Sequence, residues 1–186
     1  MRFEEHYLNE ESKVFYHGSP YSFTKFDMNK VGTGDGLNKY GFGLYFADNL
    51  ELAEYYAHEN YLRTKHQGMF LYEVKVNGIE NFYQWDELIP EDIYLSIANK
   101  LEEEGFEEDA NNMREELQSY GETYNLDQTY GILRDTLKSD KKASEFLYEL
   151  NVYGSIADDI QGRGKIYVAF SDSLIRILNV EELQGK

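Results

Sequence analysis

The sequence predicts an α+β domain, with strands at both ends of the chain and helices between them. Two observations lead to this prediction. Aromatic and β-branched runs that end at turn residues occupy residues 13–76 and 165–178, whereas apolar residues recur at three- and four-residue steps from about residue 90 to residue 150. At 186 residues the chain is long enough for one domain with a core and short for two, so we expect a single domain over residues 1–186.

The first predicted strand covers residues 13–17 and ends at a Gly-Ser-Pro turn, so His17 is expected at a strand end. Residues 21–40 show no clear period and contain three glycines between positions 32 and 36, which predicts a long mobile loop. Because long glycine-bearing loops in compact domains often close over ligands, we interpret residues 32–36 as part of a lid.

A second strand is predicted at residues 41–47, and the Asp-Asn pair that follows is a good cap for a helix over residues 50–57. In this helix Tyr56 follows an apolar residue by four positions, so we expect it to turn back toward the preceding strand. A third strand, residues 69–76, alternates apolar and polar residues and ends at an Asn-Gly turn.

The middle of the chain predicts three or four short amphipathic helices between about residues 90 and 150. The breaks between them are expected near Gly105, Gly121 and Ser139. Strands return at residues 165–170 and 174–178. We therefore divide the domain into an N-terminal half (13–80), an acidic helical insertion (81–152) and closing strands (153–186).

Net charge restricts the partners that this chain can bind. The sequence has 35 acidic and 18 basic residues and a formal charge of -17, and such a surface repels the phosphate backbone of nucleic acids. We therefore expect no nucleic-acid partner. Residues 81–120 carry twelve of the acidic residues against only Lys100 and Arg114. We expect this segment to be a separate solvated surface, which either faces a basic partner or only keeps the chain soluble.

Residue types also bear on metals and membranes. The chain has no cysteine, and His6, His17, His58 and His66 show no metal-ligand spacing, so we expect no bound metal. No apolar run approaches the roughly 20 residues of a membrane-spanning helix, and the N-terminal residues lack the apolar stretch of a signal peptide. We therefore expect a cytoplasmic protein with no membrane partner.

Three short motifs together point to one kind of chemistry. They are Tyr-His-Gly-Ser (16–19), Tyr-Gly-Phe-Gly-Leu-Tyr-Phe-Ala-Asp (40–48) and Ala-Glu-Tyr-Tyr (53–56). This arrangement resembles the catalytic domain of the ADP-ribosyltransferase superfamily, in its diphtheria-toxin and poly(ADP-ribose)-polymerase branch. In that branch a histidine opens a His-Gly-Ser turn, and two tyrosines are separated by eleven residues, as Tyr45 and Tyr56 are here.

The resemblance implies an ADP-ribosyltransferase-like split β-sheet with an inserted helical segment. It covers residues 13–57 and, more weakly, residues 140–178, which are similar to phage and mobile-element members of the superfamily. It further implies a mono-ADP-ribosyltransferase that cleaves NAD+ and transfers ADP-ribose to a protein acceptor. Such an enzyme is expected to act as a phage or mobile-element effector on a host defence complex or another host complex.

Nicotinamide is a flat cation, and two tyrosine faces can hold it at stacking distance, so Tyr45 and Tyr56 are expected to sandwich the ring. The carboxamide of nicotinamide needs one donor and one acceptor in fixed geometry. The backbone of Gly18 can offer both, because a glycine lets the ring approach closely. The resemblance adds further NAD+-binding residues, which are His17 beside the adenosine ribose, Ser19, Phe46 and Ala53.

One position departs from the family pattern. Breaking the N-glycosidic bond creates an oxocarbenium-like centre that nearby negative charge stabilises. In the polymerases a glutamate at the start of the last core strand supplies this charge, whereas Ile166 stands there in this sequence. The chain thereby resembles mono-transferring members, which lack that glutamate. A carboxylate from the preceding loop, Asp158 or Asp159, would then join His17 and Tyr45 as catalytic residues.

Simpler interpretations of the same residues remain open. Both aspartates are also ordinary turn residues, and a single histidine at a strand end is more often packed or exposed than catalytic. The two tyrosines belong to a chain with 17 tyrosines and also fit a core. Two other functions are compatible with the sequence: an NAD+ glycohydrolase toxin with water as acceptor, and a non-catalytic domain that binds NAD+ or acts as an acidic inhibitor.

Overall fold

The computed structural model describes residues 13–32, 38–64 and 68–183. These ranges contain seven strands in one sheet and five α-helices, so the architecture is α+β, as the sequence predicts. The strands are β1 (Val14–Ser19), β2 (Leu44–Ala47), β3 (Phe70–Val76), β4 (Phe82–Gln84), β5 (Gly154–Asp158), β6 (Lys165–Ala169) and β7 (Ile175–Glu182). The helices are α1 (Leu50–Arg63), α2 (Glu91–Glu103), α3 (Glu107–Tyr120), α4 (Leu126–Leu137) and α5 (Asp140–Glu149).

The sheet is split into two halves, one formed by β4, β5, β6 and β2 and the other by β1, β3 and β7. Its strand order is β4-β5-β6-β2-β1-β3-β7, and neighbouring strands are antiparallel except for β4 and β5. β1 pairs with β3 from Val14 to Ser19, but it pairs with β2 only between Tyr16 and Ala47. The two halves are therefore joined in the ladder through one residue pair, which is the split sheet that the resemblance implies.

Side chains alternate between the two faces of the sheet and enter two core clusters. In β2, Leu44 and Phe46 enter the first cluster, whereas Ala47 enters the second and Tyr45 packs against it. We call the first cluster the aromatic core, since it contains Phe15, Phe26, Phe46, Tyr72 and Tyr167. We call the second the helix-side core, since each helix contributes to it, through Leu52, Ile97, Met113, Leu133 and Leu147.

The helical segment is part of this helix-side core, so it is not the separate surface that we expected. The breaks predicted within it are confirmed. Gly105 follows α2 with a φ of +90°, and Gly121 caps α3 with a φ of +71°. Ser139 begins α5, because its side chain accepts a hydrogen bond from the backbone N–H of Lys142. Only the outer faces of these helices form the acidic, solvated surface.

The strands and the helix predicted in the N-terminal half are present, but β2 begins three residues later than predicted, at Leu44, and α1 extends to Arg63 rather than to residue 57. β1 runs two residues past the predicted end, so His17 lies within the strand and not at its end. Asn49 caps α1 as predicted, since its side chain accepts a hydrogen bond from the backbone N–H of Leu52 at 2.9 Å. Strands β4 and β5 were not predicted. β5 begins at Gly154, where a Cβ atom would clash with the backbone oxygen of Val168.

The segment after β1 does not behave as a free lid in its first part. Phe26 is 5% exposed and belongs to the aromatic core. A short 3-10 helix, Met28–Lys30, follows, and the backbone N–H of Met28 donates to Oδ2 of Asp172 at 3.1 Å. Residues 21–32 thus line one face of the sheet. Of the predicted lid, residues 33–36 lie outside the described residues.

Within the described ranges, no helix combines the length and the apolar composition that crossing a membrane requires.

Candidate active site

His17 projects from β1 into aromatic surroundings. Its ring centroid lies 5.2 Å from that of Phe26, 5.8 Å from that of Phe46 and 6.1 Å from that of Tyr72. Its Nδ1 atom lies 2.7 Å from the backbone oxygen of Tyr45 on β2. This hydrogen bond crosses the split between β1 and β2, so it links the two halves of the sheet next to their single ladder pair.

The same hydrogen bond fixes the tautomer of His17. A backbone oxygen can only accept, so Nδ1 must donate. Burial lowers the pKa of His17, because it disfavours the charged imidazolium more than the hydrogen bond to Tyr45 favours it. The ring is therefore neutral at pH 7, and Nε2 carries a lone pair that can accept a hydrogen bond from a hydroxyl group.

Tyr45 points to the other face of the sheet, where the turn before β2 holds its hydroxyl group. This hydroxyl accepts from the backbone N–H of Tyr40 at 3.0 Å and donates to the backbone oxygen of Gly41 at 2.9 Å. The hydroxyl of Tyr130 on α4 accepts from another backbone N–H of the turn, that of Phe42, at 2.9 Å. Burial raises the pKa of Tyr45, which keeps its phenol protonated. The ring face is thus the part of Tyr45 that can meet a ligand.

Gly18 lies directly beneath α1. A Cβ atom at this position would lie 2.5 Å from the backbone oxygen of Ala53 and 2.5 Å from the backbone nitrogen of Ala57. The lack of a side chain at Gly18 therefore allows α1 to approach the strand, a contact that the sequence did not predict. Ala53 is buried in the same contact. Close approach of a nicotinamide ring to the Gly18 backbone stays a prediction. The backbone oxygen of Gly18 accepts a hydrogen bond from Nδ2 of Asn60 at 3.3 Å.

Ser19 and Phe46 shape the surroundings of His17. Both are buried, with 5% and 2% of their surface exposed. Oγ of Ser19 accepts from the backbone N–H of Tyr21 at 3.1 Å, which fixes the start of the segment that covers His17. Phe46 packs against both His17 and Phe26, with ring centroids 5.8 Å and 5.2 Å away.

Tyr56 of α1 meets a buried carboxylate on the helix side of the sheet. Its hydroxyl donates to Oδ1 of Asp159 at 3.1 Å, and Asp159 is 5% exposed. Oδ2 of Asp159 also accepts from Nε of Arg163 at 2.9 Å and from the backbone N–H of Gln161 at 3.1 Å. The hydrogen bond from Arg163 is the main reason why the pKa of Asp159 lies below its usual value. Asp159 is therefore ionised at neutral pH although it is buried.

The two aspartates that the sequence leaves open have different surroundings. The side chain of Asp158 is 76% exposed, and its Oδ1 lies 3.1 Å from Nζ of Lys165. Asp159 is turned inward, and its charge raises the pKa of Tyr56 to about 12 together with burial, which is the larger cause. Ile166 pairs with Ala47 on β2 and is buried in the helix-side core. The carboxylate in contact with Tyr56 thus comes from the loop before β6, not from β6 itself.

The loop between β5 and β6 is fastened to the start of α1. Oδ1 of Asp48 accepts from the backbone N–H of Lys165 at 2.9 Å, and Nδ2 of Asn49 donates to the backbone oxygen of Arg163 at 3.0 Å. Asn49 also caps α1. One residue thereby fixes both the helix that carries Tyr56 and the loop that carries Asp159.

A protein-family model described as ADP-ribosyltransferase in polyvalent proteins matches residues 9–180 of the chain. The chain belongs to this family. The match confirms the resemblance to the ADP-ribosyltransferase superfamily in its mobile-element form, and the split α+β sheet agrees with it. Comparisons with curated proteins and with solved structures gave no match.

ADP-ribosyltransferases use NAD+ as their substrate and transfer its ADP-ribose to an acceptor. In this ADP-ribosyltransferase a neutral imidazole stands on one side of the split and an ionised carboxylate on the other. The first can accept a hydrogen bond from a ribose hydroxyl, and the second can stabilise a positive charge that develops on a ribose ring. The described residues include no group of three or more His, Cys, Asp or Glu side chains placed to hold a metal ion.

Two residues of this ADP-ribosyltransferase site were missed by sequence reasoning. Arg163 pairs with Asp159, and its Cζ atom lies 3.5 Å from the ring centroid of Tyr55. The available signal was the Asp-to-Arg spacing of four residues around Gly162, whose φ of +70° folds the loop back on itself. Tyr55 gave no separate signal, because it neighbours the predicted Tyr56.

Proposed function

We propose that this protein is a mono-ADP-ribosyltransferase, which cleaves NAD+ and transfers one ADP-ribose unit to a protein acceptor. Membership of the ADP-ribosyltransferase family supports the reaction class. The observation that carries the proposal is the buried, ionised Asp159 in hydrogen-bond contact with Tyr56. An ionised carboxylate is a costly group to bury, and it suits a site that must stabilise a cationic transition state.

Asp159 supplies the negative charge that the polymerase glutamate, replaced here by Ile166, supplies in those enzymes. As the bond between ribose and nicotinamide breaks, positive charge spreads over the ribose ring, and the Asp159 carboxylate stabilises it. In the resting protein Arg163 and Tyr56 hold the two carboxylate oxygens in place, so the carboxylate is oriented before the reaction begins. The proposal thereby chooses Asp159 over the exposed Asp158.

The remaining residues bind the dinucleotide. The ring faces of Tyr45 and Tyr56 clasp the nicotinamide, and the backbone of Gly18 fixes its carboxamide. The backbone oxygen of Gly18 accepts one hydrogen bond from Nδ2 of Asn60 and has a second lone pair for the carboxamide. Nε2 of His17 accepts from the adenosine ribose. Ser19, Phe46 and Ala53 support these groups through the contacts described above.

Transfer of single units follows from the apolar residue Ile166, which stands at the start of the last core strand where the polymerases have a glutamate. In chain-forming polymerases the glutamate at that position supports elongation, and Ile166 offers no polar group for it. Bound ADP-ribose is then not extended, so each acceptor site gains one unit.

The acceptor that fits best is a basic protein. The outer faces of the acidic helical segment carry much of the net charge of -17 and have no part in the NAD+ site. They favour encounter with a positively charged surface and disfavour nucleic acid. Since the matched family is described from polyvalent proteins, we propose a phage or mobile-element effector that modifies a host protein in the host cytoplasm.

The test incubates the purified protein with NAD+, with and without a host lysate, and measures free nicotinamide and intact protein masses. We expect faster nicotinamide release with lysate and at least one protein that gains the mass of one ADP-ribose unit. The double variant His17→Ala/Tyr45→Ala should give neither. Release of nicotinamide at one rate with and without lysate, and with no mass gain, would assign the activity to NAD+ hydrolysis instead.

Neighbouring aspartates provide a matched pair of variants. Asp159→Asn should lower nicotinamide release about 100-fold or more, the size expected when one group that stabilises transition-state charge is removed. Asp158→Asn changes an exposed residue next to it and should alter the rate less than twofold. Equal activity of the two variants would contradict the assignment of Asp159.

A further inference from the structure

The site contains a complete cradle for a guanidinium group, formed by Tyr55 and Asp159 and filled by Arg163. Cζ of Arg163 lies 3.5 Å from the ring centroid of Tyr55. Its Nε lies 2.9 Å from Oδ2 of Asp159, and its Nη2 lies 3.3 Å from Oδ1. An aromatic face and a two-oxygen acceptor together recognise a guanidinium, because this group is planar and carries its donors in a fixed fork.

The cradle shares an atom with the proposed catalytic group. Oδ1 of Asp159 accepts hydrogen bonds from both Nη2 of Arg163 and the hydroxyl of Tyr56. Under the proposed function, this carboxylate faces the reacting ribose carbon and Tyr56 faces the nicotinamide. A guanidinium in the cradle then lies beside the bond that breaks.

Closure of the loop does not require the side chain of Arg163. The backbone N–H of Asp159 donates to the backbone oxygen of Gly164 at 2.8 Å, and the N–H of Gly162 donates to the backbone oxygen of Asp159 at 2.8 Å. The Arg163 side chain is 20% exposed, whereas that of Asp159 is 3% exposed. The arginine can therefore leave toward solvent while the loop keeps its shape.

We propose that the cradle of Tyr55 and Asp159 is the acceptor subsite, that the acceptor is an arginine side chain of the target protein, and that Arg163 occupies this subsite in the resting protein. The inference rests on the proposed function, because it needs NAD+ to be cleaved next to Asp159. It adds the chemical class of the acceptor and a residue that competes with it.

The transfer step balances in atoms and charge. The bond between ribose C1′ and the nicotinamide nitrogen breaks, and its electron pair leaves with nicotinamide, which becomes neutral. A guanidinium nitrogen of the acceptor forms the new bond to C1′ and loses one proton to the Asp159 carboxylate, which passes it to water. The products are nicotinamide, an ADP-ribosylated guanidinium that keeps its positive charge, and one proton.

The experiment uses agmatine, a small guanidine, as the acceptor probe with the full-length protein and NAD+. The measured quantity is the fraction of cleaved NAD+ whose ADP-ribose ends on agmatine, so any change in cleavage rate cancels. Arg163→Ala should raise this fraction several-fold over the wild type, because the cradle is emptied. Lys165→Ala is the matched control, since it removes a nearby cation that pairs with the exposed Asp158, and it should leave the fraction unchanged.

Tyr55 gives a second, independent variant. In the Arg163→Ala background, Tyr55→Ala should lower the agmatine fraction several-fold, whereas Tyr55→Phe should retain it, because both aromatic rings offer a face to the guanidinium. In the lysate, peptide fragmentation should place ADP-ribose on arginine.

Two results would overturn the subsite and leave the proposed function intact. One is an Arg163→Ala variant that cleaves NAD+ without an increase in labelled agmatine. The other is mapping of the label in the lysate to side chains other than arginine. If no variant and no wild-type sample cleaves NAD+, both the proposed function and the subsite are contradicted.

Discussion

The two sides of the candidate site are built from opposite chemistry. On the β1 side, His17 stands among aromatic rings and burial keeps it neutral. On the side of the β5–β6 loop, Asp159 is buried but stays charged, because Arg163 and Tyr56 donate to it. Under the proposed function, the negative charge of Asp159 thus lies where the cationic ribose develops. The β1 side contributes the shape of the pocket and one hydrogen bond to Nε2 of His17.

The largest expected effect tests the packing on the β1 side. Gly18→Ala should lower the free energy of unfolding by about 2–3 kcal/mol, because the new methyl group meets the backbone of α1. Gly131→Ala is the matched control. It lies within α4 with no atom within 4 Å of the added carbon, and it should raise stability by about 0.5–1 kcal/mol. Urea unfolding measures both, and equal stability of the two variants would contradict the described contact between β1 and α1.

The next effect compares two tyrosine hydroxyls. Tyr56→Phe removes the hydrogen bond to Asp159 and keeps the ring, so it should lower kcat about tenfold and change KM for NAD+ little. Tyr45→Phe removes hydrogen bonds to backbone atoms of the turn before β2, so it should mainly lower stability, by about 1 kcal/mol. Steady-state kinetics and thermal unfolding separate the two outcomes. A larger loss of kcat in Tyr45→Phe than in Tyr56→Phe would contradict this assignment, because it would make the hydroxyl of Tyr45 the one that turnover needs.

A smaller effect concerns the pH dependence of turnover. Since the hydrogen bond from Arg163 is the main cause of the lowered pKa of Asp159, Arg163→Gln should raise that pKa. Activity needs the ionised carboxylate, so the acid limb of the kcat profile should move to higher pH in this variant. Asp158→Asn should leave the limb where it is in the wild type. If the acid limb of the kcat profile lies at the same pH in Arg163→Gln and in the wild type, a group other than Asp159 controls that limb.

The smallest effect is a pH dependence of stability that differs between the two sides. The pKa of His17 is lowered in the folded state, so its contribution is complete above the unfolded value of about 6.5 and is lost as pH falls below it. The pKa of Asp159 is also lowered, but its contribution is lost only in the acid range, below an unfolded value of about 3.9. Between pH 7 and pH 5, His17→Phe should therefore lose less unfolding free energy than the wild type. Urea titrations at several pH values measure this, and parallel curves would contradict a buried neutral His17.

The β1 side was predictable from sequence because its residues belong to continuous strand and helix patterns. The Tyr-His-Gly-Ser run, the strand before Asp48 and the Asn49 cap each carry a local signal, and the family pattern adds the spacing of Tyr45 and Tyr56. The contact between Gly18 and α1 was not predicted, because it depends on packing between elements, which no local pattern encodes.

The loop side was only partly predictable. β5 starts with Gly-Ser and has few large apolar residues, so it lacks the alternation that marks a strand, although Gly154 is required by the close approach of β6. Asp158 and Asp159 could not be distinguished from sequence, since adjacent residues in a loop have no fixed orientation until the loop is closed. Arg163 and Tyr55 meet only after α1 and the loop are brought together by Asn49.

Because β1 and β2 share a single ladder pair, α1 is an important connection between the two halves of the sheet. A sheet joined at Tyr16 and Ala47 resists twisting poorly on its own. α1 packs against Gly18 in one half of the sheet. Its cap residue Asn49 donates a hydrogen bond to Arg163, in the loop that leads into β6 in the other half. The position of α1 therefore sets how Gly18 of one half lies relative to the β5–β6 loop of the other.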